Sequence, residues 1–287
     1  MAAKHTGFFM GRGKGKMITN YQDLSNQDII SKLRPLLDKG ALFLRDDGKI
    51  TRQSRLAHNS PWIHTKLARN RNCGLWHMYH QAFGFIHSTC QECWKVVVRP
   101  RNLVELHKLL DLEKLLDLPS KCGIEKRETV CGLYGGYFYN DSLEQGRECY
   151  KIVRENVSHN ISPDVVVILK RGCTEFELEG EPSDTWEVSQ EQKDLEYLLL
   201  DLVDQDVTAV PQPEHVKQTV FRSWIHWAYA NGDLTYAVYT GGTPLFKPYV
   251  TYHQEVKDEK KHNPASAKRK SGAKKSVSAK TKGKTKR

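Results

Sequence analysis

Residues 94–170 decide the fold. Trp94-Lys95-Val96-Val97-Val98 opens the stretch with the β-branched composition of a strand. Leu103 to Leu118 then repeats apolar residues at helical spacing (Leu103, Leu106, Leu110 and Leu109, Leu112, Leu116), and Pro119 stops the helix. Cys122 to Arg127 reads as a short strand or a loop. Leu133 to Tyr139 reads as a strand with alternating aromatics. Ser142 and Gln145 form a capping box ahead of a helix with Leu143, Cys149, Tyr150, Val153 and Val157 on one face. Val165-Val166-Val167-Ile168-Leu169 closes the stretch as a buried strand. The order β-α-β-β-α-β predicts an α+β domain of ferredoxin-like, split β-α-β type over residues 94–185. Its sheet should be antiparallel, with both helices on one face.

Outward from this domain, residues 18–93 read as a helical and hairpin region. Ile29, Ile30, Leu33, Leu36 and Leu37 mark one helix, and Asp46-Asp47-Gly48-Lys49 marks a turn between two short strands. Residues 1–17 are a basic, Gly-rich arm without the spacing of a phosphate-binding loop. Residues 186–256 read as a helix-helix-hairpin unit. Leu195, Leu198, Leu199 and Leu202 mark its first helix, and Val216, Val220, Phe221, Trp224 and Trp227 its second. Leu234–Tyr239 and Leu245–Tyr252 are its expected strands. That order also suits a winged helix, for which Lys217, Gln218 and Arg222 are the available groove readers.

The chain has 287 residues and a net charge of +10. The charge is unevenly placed. Residues 257–287 hold thirteen Lys or Arg against Asp258 and Glu259, so the rest of the chain is close to neutral. Large apolar residues are almost absent from this segment, which predicts a disordered tail over residues 257–287. Its cations, among them Lys268, Arg269, Lys270, Lys274, Lys275, Lys280, Lys282, Lys284, Lys286 and Arg287, would neutralise phosphates without reading sequence. Lys268-Arg269-Lys270 would also serve nuclear import in a eukaryotic host. Residues 175–206 are the counterweight, with twelve Asp or Glu against Lys193 alone.

Seven cysteines, an odd number, with no secretory leader pattern at the N-terminus, favour a reducing, intracellular setting. Cys73-x-x-x-His77 and Cys90-x-x-Cys93 together supply three sulfurs and a nitrogen, a set common in structural zinc sites. His80 and His87 are substitutes for His77, and buried cysteines without metal are the alternative. Cys173 follows a buried strand, and the neighbouring Lys170 and Arg171 would lower its pKa. Glu175, Glu177, Glu179 and Glu181 alternate. In an extended chain they share one face, where they would hold Mg²⁺ or stay solvated. Tyr134, Tyr137, Phe138 and Tyr139 suit either a core or a base-stacking face.

No stretch is long and apolar enough for a membrane span. The nucleotide-binding, zinc-protease, serine-hydrolase and kinase motifs are also missing. The expectation is a nucleic-acid-associated protein that binds DNA or RNA through its tail. The first alternative is an enzyme acting on nucleic acid, a modifying transferase or nuclease, with its site near Cys173, Glu175 and Glu177. The second is an interaction module that uses the acidic segment 175–206.

Overall fold

The computed structural model describes residues 26–52, 60–67, 73–202, 211–243 and 245. The N-terminal arm, the expected strand Leu245–Tyr252 and the Lys-rich tail lie outside the described residues, apart from residue 245.

A five-stranded antiparallel sheet organises the chain. Its strands are β3 (Trp62–Lys66), β4 (Trp94–Arg99), β5 (Ser120–Ile124), β6 (Tyr134–Asn140) and β7 (Val166–Arg171), in the order β3-β5-β6-β4-β7. The register sets Val97 opposite Tyr137 and Ile168, and Lys95 opposite Tyr139 and Lys170. Period-two alternation therefore sends Val96, Val98, Phe138 and Val167 to one face, and Lys95, Val97, Tyr137 and Tyr139 to the other.

Helices α4 (Leu103–Leu116), α5 (Leu143–Asn160) and α8 (Glu214–Ala230) close the first face. Leu106, Leu109, Val153, Val157, Val216, Val220 and Trp224 pack there with Val96, Val98, Cys122 and Phe138. Each fully buried leucine or valine contributes roughly 1.5–3 kcal/mol. Asn102 accepts from the Glu105 amide, and Ser142 accepts from the Gln145 amide while Gln145 accepts from the Asp141 amide. Gly136 is required by close approach, because a Cβ there would lie 2.4 Å from Leu109 Cδ2.

A second apolar cluster gathers α1 (Asn26–Asp38), the hairpin β1 (Leu42–Leu44) and β2 (Ile50–Arg52), α2 (Cys73–Phe83) and α7 (Gln190–Leu202). Ile29, Leu33, Leu42, Ile50, Leu75, Tyr79, Leu195 and Leu199 fill it, together with Phe176 and Trp186. Two short helices complete this side: α3 (Ser88–Gln91) and α6 (Thr174–Glu179).

The alternating glutamates are not in an extended segment, and the expected strand Leu234–Tyr239 is helical. Residues 174–179 form α6, because Gly172 at φ +61 turns the chain out of β7 and Phe176 sinks into the second cluster. Helical geometry spreads the alternating glutamates around the axis rather than along one face. It also leaves Leu178 exposed. Leu234–Tyr236 is a 3₁₀ turn that runs into α9 (Ala237–Thr240). Asp233 starts that turn by accepting from the Thr235 amide and hydroxyl. Tyr236 then packs on Tyr229, and Tyr239 on Phe221.

Candidate metal centre

The site lies where β4 begins and β7 ends. Cys93 directly precedes β4, and its carbonyl accepts from the Gly172 amide at 2.7 Å, extending the β4–β7 pairing by one step. Cys173 follows at once and caps α6 through its backbone position. Gly172 is needed both for its positive φ and for space, since a Cβ would meet the Trp186 ring at 2.4 Å. Helix α3 brings Cys90, and its start is fixed by His87, whose ring accepts from the Thr89 amide. Helix α2 brings Cys73 and, one turn later, His77.

Four cysteines from three separate segments thus line one cavity. Cys73, Cys90, Cys93 and Cys173 share its wall with Trp76, Thr89, Lys95 and Gly172. Cys90 and Cys93 are buried. Burial pushes the Cys90 thiol up, and the nearby Cys73, Cys173 and Cys93 push it further.

Lys95 lies beneath this cavity on the sheet, only 8% exposed, and its Nζ donates to Cys173 Sγ at 2.9 Å. Burial works against a charged Lys95, but the Cys173 and Cys93 thiols outweigh it and hold the ammonium charged. Burial likewise opposes a Cys173 thiolate, yet the Lys95 charge and the hydrogen bonds from His77 and Lys95 bring it down to about 6. The Cys173 bond in turn raises His77, against its burial and with help from Glu175.

His77, Cys173 and Glu175 offer ligand atoms that all lie within 4.8 Å of one another. Glu175 is held from the far side by Arg127 Nη1 at 2.8 Å, and Arg127 also grips Glu125 and the Tyr137 hydroxyl. The His77 ring stacks on Phe176 at 4.3 Å, which fixes its plane.

The two candidate sets read from sequence therefore meet in one place. Cys73, His77, Cys90 and Cys93 stand beside Cys173 and Glu175. Glu177 stands apart, because it pairs with Lys170. The substitutes for His77 are engaged elsewhere: His80 faces Glu179 at 3.4 Å, and His87 stacks on Trp76 at 3.6 Å. The cations beside Cys173 in sequence are not the ones that act on it. Arg171 donates to the carbonyls of Gln91 and Ser183, and Lys95, seventy-eight positions away, supplies the charge instead.

The sequence held one unused sign of Lys95, a lysine inside an otherwise apolar central strand. Nothing local marked Arg127. Of the four aromatics, Tyr134 and Phe138 belong to the helix-covered core. Tyr137 and Tyr139 lie on the opposite face, with Lys121 above both rings and above Trp62. Lys217, Gln218 and Arg222 line a separate cavity of about 500 Å³ between α4, α8 and β3.

No described helix is long and apolar enough to cross a membrane. Compared with protein-family models, curated proteins and solved structures, the chain matches none.

Proposed function

We propose that the protein is an intracellular, nucleic-acid-associated metalloprotein built on a ferredoxin-like domain. The strand order β5-β6-β4-β7, with α4 and α5 crossing on one face, supports the split β-α-β reading. The observation that carries the metal is the convergence of Cys73, Cys90, Cys93 and Cys173 on one cavity. A thiolate-bound metal needs thiols gathered from separate segments, and here three segments supply them. The zinc reading of the Cys73–His77 and Cys90–Cys93 spacings is the single-ion form of this proposal. A metal here ties α2 and α3 to the sheet, and the Lys-rich tail supplies affinity for DNA or RNA.

The full chain is expected to copurify with thiol-bound metal. Its affinity for DNA or RNA should fall by roughly 10³-fold or more between about 50 and 200 mM salt. Truncation after Val256 should remove most of that dependence. Equal binding by the truncated chain in a salt titration would overturn the role of the tail, and metal-free protein from every preparation would overturn the centre.

The placement of His77 and Glu175 against Cys173 favours a second reading, an enzyme on nucleic acid with Cys173 as nucleophile and His77 as its proton partner. Cys173→Ala would then abolish turnover and spare nucleic-acid binding. An acidic docking surface over residues 175–206 has less support. Glu175 and Glu177 are paired internally, and the buried Glu196 accepts from the Ser88 amide.

A further inference from the structure

We propose that the cavity between α4, α8 and β3 binds a nucleotide by its base and its phosphate. This goes beyond the tail-borne affinity above, because it places a nucleotide contact on the folded body. The cavity holds about 500 Å³, within the range of sites that enclose a small molecule. Two facing helical stripes build it. His107, Leu110 and Lys114 recur at helical spacing on α4. Glu214, Lys217, Gln218, Phe221 and Arg222 do the same on α8. Ile63 and Thr65 line it from β3.

The walls combine an apolar and a cationic part. Ile63 and Leu110 are buried. The Phe221 ring is held edge-on by Trp224 at 5.7 Å and by Tyr239 at 5.4 Å, and His107 lies 4.9 Å from it. His107 Nδ1 in turn meets the Tyr239 hydroxyl at 3.1 Å. Rings fixed in this way offer a surface of the kind on which bases stack.

Three cations, Lys114, Lys217 and Arg222, share the cavity wall with one carboxylate, Glu214. Lys114 meets Asp111 at 3.1 Å and Lys217 meets Glu214 at 3.6 Å, but both carboxylates are exposed, and such pairs hold their cations weakly. Arg222 makes no ion pair among the described residues. A guanidinium fork and two ammonium groups suit a phosphate. A fatty acid would satisfy one of these charges and leave the others unmatched. Gln218 can read a base edge, and Thr65 gives its proton to Glu113, so its oxygen is left to accept from a ribose hydroxyl.

The test is calorimetric titration of the full chain with AMP at about 200 mM salt, where the tail's attraction is weakened. Saturable one-to-one binding is expected, with adenosine and inorganic phosphate each weaker. Arg222→Ala, at an exposed position, should weaken AMP about tenfold. Phe221→Leu keeps apolar volume without the ring and should weaken it severalfold. Lys151→Ala, on the exposed side of α5, should change nothing. Should Phe221→Leu fail to fold, Lys217→Ala takes its place, with the same loss expected. Displacement of AMP by a short oligoadenylate would support a nucleotide within a strand as the ligand, and its failure would support the free nucleotide. Unchanged AMP affinity in the Arg222 and Phe221 variants would overturn the site. So would saturable binding of dodecanoate without AMP. If AMP fails to bind while salt-dependent binding of DNA persists, the cavity proposal falls and the role of the tail stands.

Discussion

Cys93→Ser is expected to lose the metal and to lower stability by several kcal/mol, the largest effect of any single cysteine in the chain. Cys93 is buried at the joint between α3 and β4, and its carbonyl is already committed to the Gly172 amide. Its sulfur therefore has little freedom to be replaced by a neighbour. Metal binding contributes roughly 10–16 kcal/mol to small domains that have no other core. Here the sheet and its three helices form a core of their own, so the loss should be smaller than that and local. Hydrogen exchange should show it in α2, α3 and the turn from β7 into α6, with α4 and α5 still protected. Cys131→Ser, at an exposed position, should change neither metal content nor the urea midpoint. Equal protection of α2 and α3 in Cys93→Ser and the unaltered chain would show that nothing at Cys93 holds these helices.

The contrast between sheet and site shows what a sequence reveals. The elements of the central domain were legible because each signal was local. Leu103 to Leu116 repeats at helical spacing, Ser142 caps the helix that follows it by accepting from the Gln145 amide, and the valines of β4 and β7 are consecutive. Strand β3 was not legible, because its partners are remote. Gln212 accepts from the His64 amide and donates to the Trp62 carbonyl, and Trp224 Nε1 donates to the Pro61 carbonyl. Tertiary bonds of that kind override weak local propensity.

The alternating glutamates misled for a related reason. Period two is a strand signal only where the chain stays extended, and Gly172 had already turned it. At the site, spacing identified Cys73, His77, Cys90 and Cys93 as a group. Cys173 lies eighty positions further on, and only the pairing of β4 with β7 sets it beside Cys93. Lys95 was hidden by the same pairing, because its role depends on what lies across the sheet.

Glu113→Gln is expected to stabilise the protein at neutral pH and to flatten its stability between about pH 4.5 and 8. Glu113 is fully buried on α4, where it accepts from the Thr65 hydroxyl of β3 at 2.7 Å. Burial pushes its carboxyl up to about 8, although hydrogen bonds from Thr65 and Cys122 and the charge of Lys121 pull the other way. The unfolded chain titrates this group at its ordinary value of 4.5. The folded state therefore binds the proton more tightly, so stability is greatest below pH 4.5. It declines as pH rises and levels off above about 8.

Between those two pH values, stability falls by ~1.4 kcal/mol for each pH unit, so the whole decline is on the order of a few kcal/mol. Lys121 acts in the opposite sense and in another window. Its buried ammonium is lowered to about 8, so it restores stability only as pH rises from 8 toward 10.5. Glutamine keeps an acceptor for Thr65 and cannot ionise, so the variant should lack the decline below pH 8 and keep any gain above it. Urea unfolding of both proteins from pH 5 to 9 measures this directly. Parallel curves through that range would mean that Glu113 titrates alike in the folded and unfolded chains, and that its burial carries no cost.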